Sequence, residues 1–145
     1  MENVNEKTLF FKSINVDLKK VNYDKIDGIL PGINEPIKVI TKDSYEITDL
    51  TSSGFTLLYQ RLVELEPKLL FNITVTYEIR YEFSKETKNE YKDKIGELSE
   101  LVNAKAEKAI NMTGVVSRAS TLISSITMQN NGNAIVTQPN FSKAK

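Results

Sequence analysis

Glu78, Arg80 and Glu82 occupy alternate positions of one polar stripe in LFNITVTYEIRYEF, residues 70–83. Two carboxylates beside a guanidinium could serve as general acid and base if a pocket drove their pKa values apart. A serine–lysine pair is the other nucleophilic arrangement the chain offers. Histidine and cysteine are both absent, which removes Cys–His and Ser–His systems and the commonest zinc and copper ligands. Strand carboxylates next to an arginine ordinarily form cross-strand ion pairs. The residues therefore point away from an enzyme: no catalytic residue, no metal ligand and no cofactor is expected.

The element that carries these charges is the clearest in the chain. Phe71, Ile73, Val75, Tyr77, Ile79, Tyr81 and Phe83 fill the odd positions, and Asn72, Thr74, Thr76, Glu78, Arg80 and Glu82 the even ones. Such alternation predicts a long half-buried strand, which needs a sizeable antiparallel sheet around it. Phe55–Leu69 fits either a helix, through Leu58, Leu62 and Leu65, or a strand, through Leu57, Tyr59, Arg61 and Val63. Placing a hairpin tip at Glu66–Lys68 favours the strand. TSSG at 51–54 reads as a turn, and the preceding segment from Pro36, centred on Val39 and Ile40, as another strand. Leu9–Leu18 is the first strand, with Ile14, Val16 and Leu18 on one face although Phe10 and Phe11 interrupt the alternation.

Beyond Ser84 the period changes. Ser84 with Thr87 can begin helical turns, and Ile95, Leu98, Leu101 and Val102 mark a short amphipathic helix. A second, longer helix is predicted over Glu107–Gln129, with Met112, Val115, Val116, Ala119, Leu122, Ile123 and Ile126 on its apolar stripe. Its other face carries Thr113, Ser117, Ser120, Thr121, Ser124 and Ser125, with Arg118 as its charge. Exposed helix faces normally carry Lys, Glu and Arg, whereas small hydroxylated residues allow close approach of another helix. These six residues are read as a surface packed against another copy of the chain. NNGN ends the helix, and AIVTQPNF, residues 134–141, must lie down on the domain.

Lys and Arg balance Asp and Glu at 19 each in 145 residues. No global field steers the chain toward nucleic acid or membrane, and only three of the bases are arginines, a poor supply for reading phosphates. No run approaches a membrane span and no secretion signal opens the sequence, so a soluble cytoplasmic protein is expected. The loop DGILPGINEP carries Ile29, Leu30 and Ile33 where polar residues are usual. These aliphatics either pin the loop to the body or line a groove.

The order of elements, together with LISSITMQNNGNAIVTQPNF at 122–141, resembles the SecB family of bacterial protein-export chaperones and its SecB-like relatives. Leu122, Ile123, Ser124 and Thr127 match the family's helix, Gly132 its helix end, and Ile135, Val136, Pro139, Asn140 and Phe141 its apolar tail. Where the family often has a Phe-Pro-Tyr-x-Arg cluster, this chain has Val115–Ser120. Its neutral charge is closer to a SecB-like relative than to the acidic export protein.

The resemblance implies a single α+β domain over residues 1–145, with a four-stranded antiparallel sheet, a long crossover loop and two helices packed on one side. Residues 1–8 and 142–145 are expected to be flexible. It implies an ATP-independent holdase that binds unfolded polypeptide clients in apolar grooves of a homotetramer, a dimer of dimers. An antitoxin or a secretion-pathway component is the further partner it suggests. Ile29, Leu30, Ile33, Tyr45 and Tyr59 are the candidate client contacts. An oligomeric adaptor or phage structural protein with one fixed partner is the alternative.

Overall fold

Four strands, β1 (Phe11–Lys25), β2 (Lys38–Thr51), β3 (Gly54–Glu66) and β4 (Phe71–Phe83), pair antiparallel in the order β1-β4-β3-β2. This computed structural model describes residues 7–25, 38–66, 71–131 and 134–141. The ambiguous segment is strand β3, whose register sets Tyr59 against Tyr77 and Leu57 against Ile79. β1 and β2, consecutive in sequence, form the two opposite edges, so the chain crosses over between them as expected. Ile29, Leu30 and Ile33 lie outside the described residues, as do residues 67 and 68 of the expected hairpin tip.

β1 is longer than the sequence suggested, continuing from Leu18 to Lys25. The reason is two irregularities, between Phe11 and Ser13 and between Leu18 and Lys20. Each inserts a residue and restores the phase. Phe11, Ile14, Val16, Leu18, Val21 and Tyr23 thus all share the core side, opposite Phe83, Tyr81, Ile79, Tyr77, Val75 and Ile73. A step of three in an otherwise period-two pattern marks each bulge.

Helices cover one sheet face: α1 (Lys85–Glu90), α2 (Ile95–Ala104), α3 (Ala106–Met112) and α4 (Val115–Asn131). Ser84 caps α1 by accepting from the Thr87 amide. The single helix expected from Glu107 is instead two, because Gly114 takes a φ of +73°. That left-handed conformation suits glycine and ends a helix. Thr113 then bridges the joint, donating to the Ile110 carbonyl at 2.7 Å and accepting from the Val115 amide at 3.1 Å. Met112 correspondingly leaves the expected apolar stripe and is exposed.

The core consists of the odd residues of β3 and β4 against Leu98, Leu101, Val102, Ile110, Val115, Val116, Ala119 and Ile123. Tyr81 ties the layers together, its ring stacked 4.5 Å from Phe55 and its hydroxyl donating to the Ala109 carbonyl. Burial raises the Tyr81 pKa above its ordinary value. On the opposite face the charged stripe forms cross-strand pairs: Lys19–Glu78 at 2.6 Å, Arg80–Asp17 at 2.6 Å and Lys12–Glu82 at 3.5 Å. The Lys19 hydrogen bond holds the Glu78 carboxyl below its usual range.

Candidate functional site

Arg61 sits on the core side of β3, between Tyr59 and Val63, and is completely buried. A guanidinium there must find a partner for every donor. Asp43, directly opposite on β2, receives Nε at 2.8 Å and Nη2 at 2.7 Å. The remaining hydrogens go to the tail: Nη1 to Thr137 Oγ1 at 3.0 Å and the Gln138 carbonyl at 2.5 Å, and Nη2 to the Asn140 carbonyl at 3.0 Å. Tyr59 donates its hydroxyl to the same Asp43 oxygen that Nε binds, at 2.7 Å. Burial, then the Asp43 carboxylate, pushes the Tyr59 pKa up, so it remains a donor. Burial opposes the Arg61 charge, but Asp43 and Tyr59 more than offset this and its pKa is raised.

The arginine therefore works as a latch for residues 134–141. Helix α4 supplies the other side of it. Ser120 donates to the Thr137 carbonyl at 2.6 Å and accepts from Thr137 Oγ1 at 3.1 Å. Thr127 accepts from the Ile135 amide at 2.8 Å, and Asn111, on α3, accepts from the Phe141 amide at 3.3 Å. Phe141 closes the segment with its ring 5.9 Å from that of Tyr45 and 6.1 Å from that of Tyr59. Pro139 favours extended backbone at Gln138, where the carbonyl meets Arg61.

Latching the tail leaves an open groove on each side of it. Between the tail and α4, a cavity of ≈ 430 Å³ is lined by Ser120, Thr121, Ser124, Ser125, Met128, Ala134 and Val136. Between the tail and edge strand β2, another of ≈ 280 Å³ is lined by Val39, Thr41, Val136, Thr137 and Gln138. Neither lining contains a charged residue. Val136 divides them and is 81% exposed, with Met128 at 53% and Val39 at 46%. Uncharged walls with exposed apolar side chains suit an apolar polypeptide segment.

The residues singled out from sequence are distributed across this arrangement. Tyr45 and Tyr59 are opposite one another, but Tyr59 is buried and both are covered by the chain's own Phe141. Ser120 is buried beneath the tail and bonded to it, and Thr113 serves the α3–α4 joint. Ser117, Thr121 and Ser125 are exposed along α4, and Ser124 is half-buried. Asp43, Arg61, Val39, Met128 and Val136 were not among the candidates. A signal for the first two existed: opposite charges at core-side positions of adjacent strands. Among the described residues no cluster of acidic side chains is arranged to hold a metal ion, and no helix is long and apolar enough to cross a membrane.

No family model and no curated protein sequence matches the chain. Among solved structures, it is similar to the SecB-like chaperone of Mycobacterium tuberculosis in complex with a ChAD peptide from the HigA1 antitoxin. The TM-score is 0.52 at 7% identity, covering 87% of this chain and 88% of the other. The fold is therefore SecB-like.

Proposed function

We propose that the chain is an ATP-independent holdase that takes extended, apolar segments of unfolded polypeptides into the two grooves flanking its tail. The observation that carries this reading is the exposure of Val136, Met128 and Val39 in two uncharged grooves, one of them beside edge strand β2. A folded protein normally avoids such a surface unless something binds it. Strand β2 offers main-chain pairing to an extended client, and the apolar residues offer weak side-chain burial, summed over several sites. The peptide complex of the SecB-like structure supports a protein-binding role on this fold.

In this reading the chain works as a homo-oligomer, a dimer of dimers, with α4 meeting another copy through its exposed Ser117, outside the groove lined by Thr121 and Ser125. An antitoxin or a secretion-pathway component is the specific partner to test. The decisive assay is suppression of aggregation of a chemically denatured client. A purified chain that does not delay aggregation at a small molar excess refutes the holdase reading, and binding of one partner without holding activity favours an adaptor. Ser117→Glu should lower the mass measured by light scattering. An unchanged mass removes α4 from the interface.

A further inference from the structure

A third cavity lies where the start of β1, at the sheet edge opposite β2, meets helix α3. Helix α3 and its cap contribute Lys105, Lys108, Ala109 and Met112, the i, i+3, i+4, i+7 set that forms one helix face. Lys7, Thr8, Leu9 and Phe11 form the other wall, enclosing ≈ 200 Å³. Both walls are held rigidly by one residue. The Phe11 ring packs 5.0 Å from Tyr81, whose hydroxyl holds the Ala109 carbonyl at 2.8 Å. The floor is apolar, the rim carries three lysines, and no lining residue is acidic. Met112, at the mouth, is 59% exposed.

We infer that this cavity is a docking site for a protein segment in which one apolar side chain is flanked by acidic residues. The apolar floor takes the side chain, and Lys7 and Lys108 face the carboxylates at the rim. Charge complementarity of this kind selects a partner and speeds its encounter more than it adds affinity. A half-open dish holding about one side chain leaves its occupant's flanks outside, among the lysines, as a peptide requires. A linear acyl carboxylate would bury more of itself in a closed tube. The site is chemically opposite to the uncharged tail grooves and separate from them.

Two of the chain's three methionines report on the two places: Met112 on this cavity and Met128 on the tail groove. The full chain, labelled with ¹³C at its methionine methyls, is titrated with acetyl-Glu-Leu-Glu-amide, acetyl-Lys-Leu-Lys-amide and octanoate. The acidic peptide should shift Met112 saturably, weaken as salt is raised, and leave Met128 in place. Lys108→Glu, an exposed change, should weaken the acidic peptide by about five-fold and turn the preference toward the basic one. An unmoved Met112, an equal response to both peptides, a response of Met128 instead, or a response to octanoate without the acidic peptide overturns the inference. Because the holdase reading is tested by aggregation and by Met128, either proposal can fail without the other.

Discussion

Arg61→Met tests whether the buried arginine both stabilises the sheet and fixes the tail. The substitution keeps an unbranched apolar stem but removes five donated hydrogen bonds. Asp43, whose side chain is fully buried, is left with the Tyr59 hydroxyl as the partner it keeps from this network. Stranding one member of a buried ion pair costs about 3–5 kcal/mol. The three tail acceptors add less than three charged hydrogen bonds would, because the tail can lift and rehydrate them. Against a typical domain stability of about 5–15 kcal/mol, a loss near 4 is large. With a urea slope of about 2 kcal/mol per molar, the midpoint should fall by about 2 M at fixed protein concentration. Amide exchange at Ile135 and Phe141 should rise together, since both amides are bonded only while the tail is docked. Asp43→Leu combined with Arg61→Met separates the two effects. Removing the stranded charge should restore much of the stability, whereas the tail amides should stay unprotected. A midpoint shift below about 0.5 M, or tail amides that remain protected in the double variant, would refute the latch.

Gly54→Ala should destabilise by about 2–3 kcal/mol, read as a urea midpoint, because a Cβ there would stand 2.0 Å from the Tyr81 carbonyl oxygen. Alkaline pH should also weaken the fold. Burial raises the pKa of Tyr59, Tyr77 and Tyr81, so above pH 10 the unfolded chain releases protons that the folded chain keeps. Stability is therefore full below about pH 10 and declines above it, by about 1.4 kcal/mol per pH unit for each of Tyr59 and Tyr81. Urea midpoints that stay level from about pH 9 to about pH 11 contradict this. Val136→Asp should leave thermal stability within about 0.5 kcal/mol, since its side chain is mostly in water, yet reduce suppression of client aggregation. Undiminished holding would take Val136 out of the client surface.

Strands with an uninterrupted period were legible, and β4 above all, because alternation there is strict for its whole length. β1 was half legible, since each bulge shifts the phase and a reader of strict alternation loses the strand at Leu18. The break at Gly114 was hidden by the continuous apolar stripe on either side of it: a glycine inside such a stripe signals a joint only when its φ is known. The tail's importance was visible in its composition, and its docking was expected. Its fastening was not, because it depends on a pair nearly twenty residues apart in sequence (Asp43 and Arg61) meeting main-chain carbonyls that carry no sequence signature. Ser120 shows the same limit. On helical spacing it belongs with Ser117 and Ser124, yet the tail lies over it and turns a surface hydroxyl into a buried donor.

The way the tail is fastened accounts for the exposed surface beside it. An extended segment points successive side chains to opposite sides. Thr137 is fixed inward by Arg61 and Ser120, so Val136 must point outward, and its 81% exposure follows from the polar latch one residue away. Ile135, two residues before Thr137 and on the same inward side, packs against the core, so the alternation leaves Val136 as the outward side chain between them. A latch that grips Thr137 and the flanking main-chain carbonyls, with Ile135 and Phe141 packed inward, keeps Val136 available without loosening the segment. The same residues that tie the segment down therefore keep Val136 exposed between two uncharged grooves.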